Sequence, residues 1–445
     1  MRPSDGPDRH KDPSERLLSF RRNLSAHLKS WHTDDMPLAS PPRPRTAWLL
    51  GPALVAGVAY LDPGNVATNM SAGAQFGYLL VWVVVLGNAM AWLIQYLSAK
   101  LGVVTGASLA ETLGTRIRSP WARRAYWLQA ELVAMATDIA EIIGGAVALW
   151  LLFDIPLLAG GVITGAISMG LLLIQSRRGA KPFEFVVIAL LAIIVVGFTV
   201  GVFLGPPEAA SVAAGLVPQF EGTESVLLAA SILGATVMPH AIYAHSALAR
   251  DRFADHDVTG PARVPRLLRA TRWDVTIALV IAGSVNLAIL LLGAANLPGV
   301  PGTDSLEGAY AALAAALGGA IATVFAVGLL ASGLASTAVG AYAGSEIMQG
   351  LLHVRVSLMA RRVVTLIPAL VVLGMGFDPT RALILSQVVL SFGIPFALVP
   401  LVWLTARAGV LGAHRNRWWT TVLGVVFAVF LIALNALLLW LTFTT

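Results

Sequence analysis

Asp62-Pro63-Gly64-Asn65 interrupts the first long apolar stretch of the chain, and no other feature narrows the possible folds as far. Residues 46–61 before it and 66–76 after it are helical in composition, but a proline followed by a glycine is a poor way to continue a helix. The stretch therefore predicts two half-helices with an unwound joint over 62–65. Pro63 has no N–H, so the carbonyl of Ala59, four residues back, loses its usual helical partner. A second break, Val237-Met238-Pro239-His240, divides the apolar run from Val226 to Arg250 and frees the carbonyl of Ala235 by the same arithmetic. Non-helical backbone at membrane depth is tolerated only where it lines a cavity or is buried in protein. Two such breaks in corresponding positions of two chain halves point to the binding site of an inverted-repeat secondary transporter.

Composition supports a bilayer setting. Hydrophobic residues make up 57% of the chain and charged residues 12%, about half the charge of a soluble domain. With no cysteine, disulfides and thiolate metal sites are excluded. Apolar runs of about 20 residues predict eleven spans: 46–75 (broken), 79–101, 124–150, 156–176, 182–204, 226–250 (broken), 274–296, 319–345, 359–377, 381–406 and 418–443. A short helix outside the bilayer is expected within 297–318. With the N-terminus in the cytoplasm, only Arg381 of the 30 lysines and arginines falls on the outer side, so the positive-inside rule fixes the orientation and puts the C-terminus outside. The basic residues are spread over many short loops, which fits topology in a cell (inner) membrane and not a nucleic-acid partner. Each five-span set begins with a broken helix, and an odd count inverts the second set. The predicted organisation is a polar tail (1–45), two inverted repeats (46–205 and 206–406), and a cytoplasmic loop with an eleventh helix (407–445). Within the tail, Leu17, Leu18, Phe20, Leu24, Leu28 and Trp31 beside basic residues suggest a helix lying on membrane lipid, with a disordered tail as the alternative. Pro41–Pro44 reads as a linker.

At the crossing point the two joints offer the Asp62 carboxylate, the Asn65 carboxamide, the Met238 thioether and the freed carbonyls of Ala59 and Ala235. The carbonyl ends of half-helices add negative dipole. Oxygens with one soft sulfur suit a divalent transition ion, Mn²⁺ or Fe²⁺, better than Mg²⁺ or Ca²⁺. Met238 also fits as packing, and Asn65 as the cap of the following half-helix. Asp62 has no such plain use, since a mid-membrane carboxylate costs roughly 2.5–3.5 kcal/mol. Glu131, Asp138 and Glu141 form a stripe on the third span, with 131 and 138 within about 20° of one face. Such a stripe reads as a proton relay partnered by Arg361 or Arg362 of the ninth span, or else as a buried polar network. His240 and His245 follow the second break and could take a proton, ligate metal or hold a structural hydrogen bond. Gln387 of the tenth span and Asn286 of the seventh could each add an oxygen or bond between helices.

Asp62-Pro63-Gly64-Asn65 with Met238-Pro239-His240 resembles the paired signature of the Nramp family of proton-coupled divalent metal transporters, including its bacterial MntH group. Leu385-Ser386-Gln387-Val388-Val389-Leu390-Ser391 with Pro395-Phe396-Ala397, Ala331-Ser332-Gly333 and the Asp138/Glu141 pair extend the resemblance from about residue 46 to the end. It implies an all-α fold of the LeuT type. It also implies metal ligation by Asp62, Asn65, Met238 and the backbone of Ala59 and Ala235, with Gln387 joining in one conformation. Proton movement would involve Asp62, Asp138 and Glu141, with Glu131, His240 and Arg361. Relatives that carry magnesium or aluminium lack the methionine, so the resemblance favours Mn²⁺ or Fe²⁺ as cargo, with protons and no resident cofactor. A sodium-coupled symporter of a small organic solute is the alternative on the same fold, though Met238 and Asp62 at its centre argue against it. No assembled nucleophile or multi-histidine site suggests an enzyme, and no filter repeat suggests a channel.

Overall fold

The computed structural model describes residues 51–178, 180–254, 263–354 and 356–444. The polar tail and the Pro41–Pro44 linker lie outside the described residues. In chain order the helices are α1 (Pro52–Val58), α2 (Pro63–Phe76), α3 (Val81–Thr105), α4 (Leu109–Arg116), α5 (Pro120–Phe153), α6 (Leu157–Arg178) and α7 (Ala180–Leu204). The second half has α8 (Ala209–Ala214), α9 (Gly222–Val237), α10 (Pro239–Ala254), α11 (Arg263–Asn296), α12 (Leu306–Leu317), α13 (Gly319–Leu352), α14 (Leu358–Gly374), α15 (Pro379–Ala406), α16 (Ala408–Leu411) and α17 (Trp418–Thr444). All eleven predicted spans are helical over their described residues, apart from the joints at Asp62 and Met238. Among the described residues nine are long and apolar enough to cross a membrane by themselves, counting α9 with α10 as one. The first span misses that length because it is divided at Asp62. The ninth, α14, has 17 residues and carries Arg361 and Arg362.

Both breaks are narrower than the sequence suggests. After α1 the chain makes one 3-10 turn over Ala59–Leu61, and then Asp62 alone is extended (φ −70°, ψ 164°) before α2 starts at Pro63. The proline ring pushes its predecessor out of the helical region, while its own fixed φ suits the first helical position. Pro63, Gly64 and Asn65 therefore belong to the first turn of α2 and are not unwound. The capping role falls to Asp62, whose Oδ1 accepts the Asn65 N–H at 2.9 Å, and not to Asn65. In the sixth span only Met238 separates α9 from α10, for the same reason.

Spans at the centre and the rim differ in burial. In the most apolar stretch of the sixth span 94% of residues are buried, and in α5 83%, against 33% in α6, α7 and α17. The rim helices thus keep apolar surface exposed, and the broken helices sit inside the bundle. Two buried apolar clusters fill it, one drawn mainly from the first, third, fifth, seventh and eighth spans and the other mainly from the second, sixth, tenth and eleventh. Met238 belongs to the first and its neighbour Val237 to the second, so the second joint lies on the seam between them.

The expected short helix in 297–318 is α12. Three further short helices, α4, α8 and α16, were not predicted, and α11 begins at Arg263 instead of near 274. Apolar length cannot reveal helix that runs beyond the bilayer. For α4 a local signal exists: Ser108 and Glu111 form a reciprocal capping box, with Glu111 N–H to Ser108 Oγ at 3.2 Å and Ser108 N–H to Glu111 Oε2 at 2.7 Å.

Candidate metal-ion site

The two joints meet: the side chains of Asp62, Asn65 and Gln387 converge there, Met238 lies in the second joint, and all four are fully buried. Asn65 Nδ2 donates to Asp62 Oδ1 at 2.7 Å and to the Ala235 carbonyl at 3.0 Å, and Gln387 Nε2 donates to Asp62 Oδ2 at 3.0 Å. The Ala235 carbonyl is thus not free, as Pro239 alone would leave it; it holds the Asn65 carboxamide across the joint. The Ala59 carbonyl lies in the 3-10 turn. The oxygens of both carboxamides, Asn65 Oδ1 and Gln387 Oε1, are buried without a hydrogen-bond partner. Among the described residues no basic side chain pairs with Asp62.

Glycines bring the tenth span close enough for this. A Cβ on Gly64 would collide with the Gln387 side chain, and one on Gly234 of α9 with the Gln387 carbonyl. Gln387 is therefore clasped between the two broken spans at their joints. A carboxylate held only by neutral donors, a thioether and two carboxamides able to turn their oxygens inward make a donor set for one divalent cation of intermediate softness. Among the described residues no group of three or more His, Asp or Glu side chains could hold a metal.

Behind the joint runs the stripe on α5. A Cβ on Gly144 of that helix would strike Pro63, and Glu141 is one turn earlier. Arg361 reaches Glu131 (3.0 Å) and Asp138 (3.3 Å), and Arg362 reaches Asp138 (2.7 Å) and Glu141 (3.3 Å). Arg362 is wholly enclosed and also donates to Ser168 and Thr337, both at 3.0 Å. The sequence offered either arginine, and the structure engages both, with Arg362 the more central. His240 flanks them, its Nδ1 3.2 Å from Thr137 Oγ1, beside Asp138 in the chain.

Polar contacts flank the joint on both sides. Towards α1, the Tyr60 hydroxyl bonds to Gln95, whose Oε1 lies 2.7 Å from His245 Nδ1. Asp274 accepts the N–H groups of Gly51 and Ala53 at 3.1 and 2.9 Å, pinning the start of α1 to α11. Tyr60, Gln95 and Asp274 escaped the sequence reading; Gln95, a carboxamide within an apolar run, was the available signal. On the opposite side lies a cavity of about 390 Å³ lined by Gln75, Glu224, Asp304 and Arg381. Deeper in, Thr68 and Ser231 are bonded at 2.9 Å, and Ser231 donates to the Ile384 carbonyl at 3.1 Å. Asn286 donates to the Tyr60 carbonyl at 2.8 Å and receives Asn69 at 3.3 Å, so it braces the first joint instead of facing the Asp62 carboxylate.

The model of the Natural resistance-associated macrophage protein-like (Nramp) family matches residues 53–441. A Divalent metal cation transporter MntH of Mycobacterium tuberculosis (strain CDC 1551 / Oshkosh) is 60% identical over 401 residues, 90% of this chain and 93% of that protein. One of the same description from Mycobacterium bovis is 57% identical over 99% of this chain, which spans 65% of that longer protein. The crystal structure of the Eremococcus coleocola manganese transporter in complex with an aromatic bis-isothiourea substituted compound superposes with a TM-score of 0.78 at 35% identity, covering 88% of this chain and 85% of that one. At 16% identity, a nucleobase-cation-symport-1 family transporter in a closed conformation still gives a TM-score of 0.55 over 88% of this chain and 92% of its own, which shows a shared LeuT-type fold alone.

Proposed function

Because the chain belongs to the Nramp family, and is thus a transporter and not an enzyme, we propose that it imports divalent transition metal ions, Mn²⁺ and Fe²⁺, together with protons by alternating access. The observation that carries this reading is the Asp62 carboxylate, sealed from solvent and held only by neutral donors, beside Met238 and two carboxamide oxygens without partners. A cation entering here would turn both carboxamides, exchange their N–H groups for oxygens, and release the Ala235 carbonyl as a further ligand. Ala59 would contribute its carbonyl from the 3-10 turn. The thioether favours Mn²⁺ and Fe²⁺ over ions that demand oxygen alone.

Protons would pass between Asp62 and the stripe of Glu141, Asp138 and Glu131, with Arg361 and Arg362 as fixed counter-charges and His240 as a flanking group. Residues 46–205 and 206–406 would act as two inverted repeats that rock about the joint. The polar tail (1–45) precedes them and the loop and eleventh helix (407–445) follow. The inner membrane, with the N-terminus cytoplasmic and the C-terminus outside, is the setting the basic loops favour. An organic-anion symporter on this fold would present free N–H groups at its half-helix starts, whereas the start of α2 is taken by Asp62 itself. The test is flux into proteoliposomes with an internal pH reporter. Mn²⁺ entry with acidification, unaffected by excess Mg²⁺, is expected; entry of Mg²⁺ or Ca²⁺ at the same rate would defeat the assignment.

A further inference from the structure

At the end of the molecule that carries the basic loops, a groove of about 1080 Å³ runs between the 406–417 connection and the first turns of α17. Its chemistry is divided. Arg415 and Arg417 stand exposed at one end, and among the described residues neither has a carboxylate partner. Along the rest, Val422, Val425 and Val426 share one face of α17, each about half exposed. Among the described residues no acidic side chain lines it.

The arginines are held in place by the residue between them. Asn416 is buried; its Oδ1 accepts from the equally buried Lys100 Nζ at 2.9 Å, its Nδ2 donates to Thr405 Oγ1 at 2.8 Å, and its N–H donates to the Thr405 carbonyl at 2.9 Å. The connection is thus tied to the second and tenth spans, with an arginine presented on each side of the tie. Trp418, 78% exposed, and Trp419 follow at once, the residues expected at headgroup depth. A free anion would use the cations and leave the apolar wall idle, and a bare acyl chain would do the reverse.

We infer that this groove binds an anionic glycerophospholipid, with its phosphate at Arg415 and Arg417 and its acyl chains along Val422, Val425 and Val426. Basic pockets beside spanning helices recognise such headgroups. The bound lipid would steady the tenth span, because Ser391 of α15 and Asn435 of α17 are joined by bonds of 2.8 and 3.0 Å.

The test uses the full chain purified in detergent, with phosphatidylglycerol or phosphatidylcholine added, read by native mass spectrometry and thermal melting. Phosphatidylglycerol should be retained in preference and should raise the melting temperature. Each arginine near an anionic headgroup is worth a factor of about five, so R415Q/R417Q together should weaken retention roughly 25-fold. R415K/R417K should keep most of it, and R118Q/R124Q, exposed basic positions outside the groove, should change nothing. Equal loss in the R118Q/R124Q protein would reduce the effect to general surface charge and overturn the site. Displacement of the lipid by inorganic phosphate would identify a free-anion site instead. A doubled mass that depends on Arg415 and Arg417 would identify a second copy of the chain as occupant and also overturn it.

Discussion

Asp62 and Asp138 are equally buried carboxylates on neighbouring spans, and they are neutralised in opposite ways. Asp62 has only the N–H groups of its own helix turn and two carboxamides around it. Asp138 has both arginines of α14. A carboxamide can rotate and offer oxygen in place of nitrogen; a guanidinium stays charged and offers only donors. The first region can therefore exchange its partners for a dication, and the second cannot. What the second can accept is a proton: Glu131, Asp138 and Glu141 against Arg361 and Arg362 leave one negative charge when all are ionised. On the proposed reading one polar centre takes metal and the other protons, and the two differ by the identity of the counter-charge and not by burial.

The strongest way to break this contrast is to remove each region's key charge. Asp62→Asn leaves a neutral site, and Mn²⁺ uptake should fall by at least about 100-fold, the cost of losing one partner of a buried charge pair. The fold should keep its melting temperature, because no cation is stranded. Arg362→Gln should do the reverse, stranding Asp138 and Glu141 and destabilising the protein by about 3–5 kcal/mol. Melting curves of the two variants in detergent, beside Mn²⁺ flux, check both. If Asp62→Asn proves as unstable as Arg362→Gln, Asp62 is a structural group and the contrast dissolves.

Much of this was legible from the chain because proline acts locally. Pro63 and Pro239 announce the breaks, and three acids at helical spacing announce the stripe. The width of the breaks was not legible, since proline both ends one helix and starts the next, and composition does not say which residue bears the bend. Nor was the engagement of the Ala235 carbonyl, which depends on how two spans 170 residues apart cross. Tyr60, Gln95 and His245 come from three spans, so only their meeting gives them meaning. The helical start of α11 was hidden by its charge, which the search for apolar runs discards.

Asp138→Asn sharpens the contrast further. Carrying one dication and one proton inward moves three charges, worth roughly 7 kcal/mol at 100 mV, and the metal alone retains about two thirds of that drive. Mn²⁺ uptake under a negative-inside potential should therefore persist within a few-fold, while accompanying acidification is largely lost. Proton entry at the normal ratio in this variant would move the relay elsewhere, with His240 the next residue to replace. Met238→Ala should matter less again: Mn²⁺ transport continues, but Ca²⁺ competes several-fold better once the soft ligand is gone. Unchanged Ca²⁺ exclusion would make the sulfur packing.

The smallest effect belongs to a third ion cluster, which differs from the other two in meeting water. Arg250, at the end of the sixth span, contacts Glu111 of α4 (2.7 Å), Asp251 (2.7 Å) and Glu346 of α13 (3.2 Å). Partial burial pushes the Glu111 carboxyl up, but the Ser108 N–H and the Arg250 guanidinium outweigh it and hold it below the ordinary carboxylate value. A carboxyl lowered by folding adds stability that is complete above its unfolded pKa and is lost as pH falls through the lower, folded one. Glu111→Gln keeps an acceptor for the capping box and removes only the charge. The variant should melt slightly below the parent at neutral pH, by no more than about 1 kcal/mol because the pair is solvent-screened. The gap should close on acidification through the acidic carboxylate range, where the parent loses its own ion pair. A gap that stays constant down to low pH would assign the difference to the cap, and the contact with Arg250 would then be worth nothing measurable.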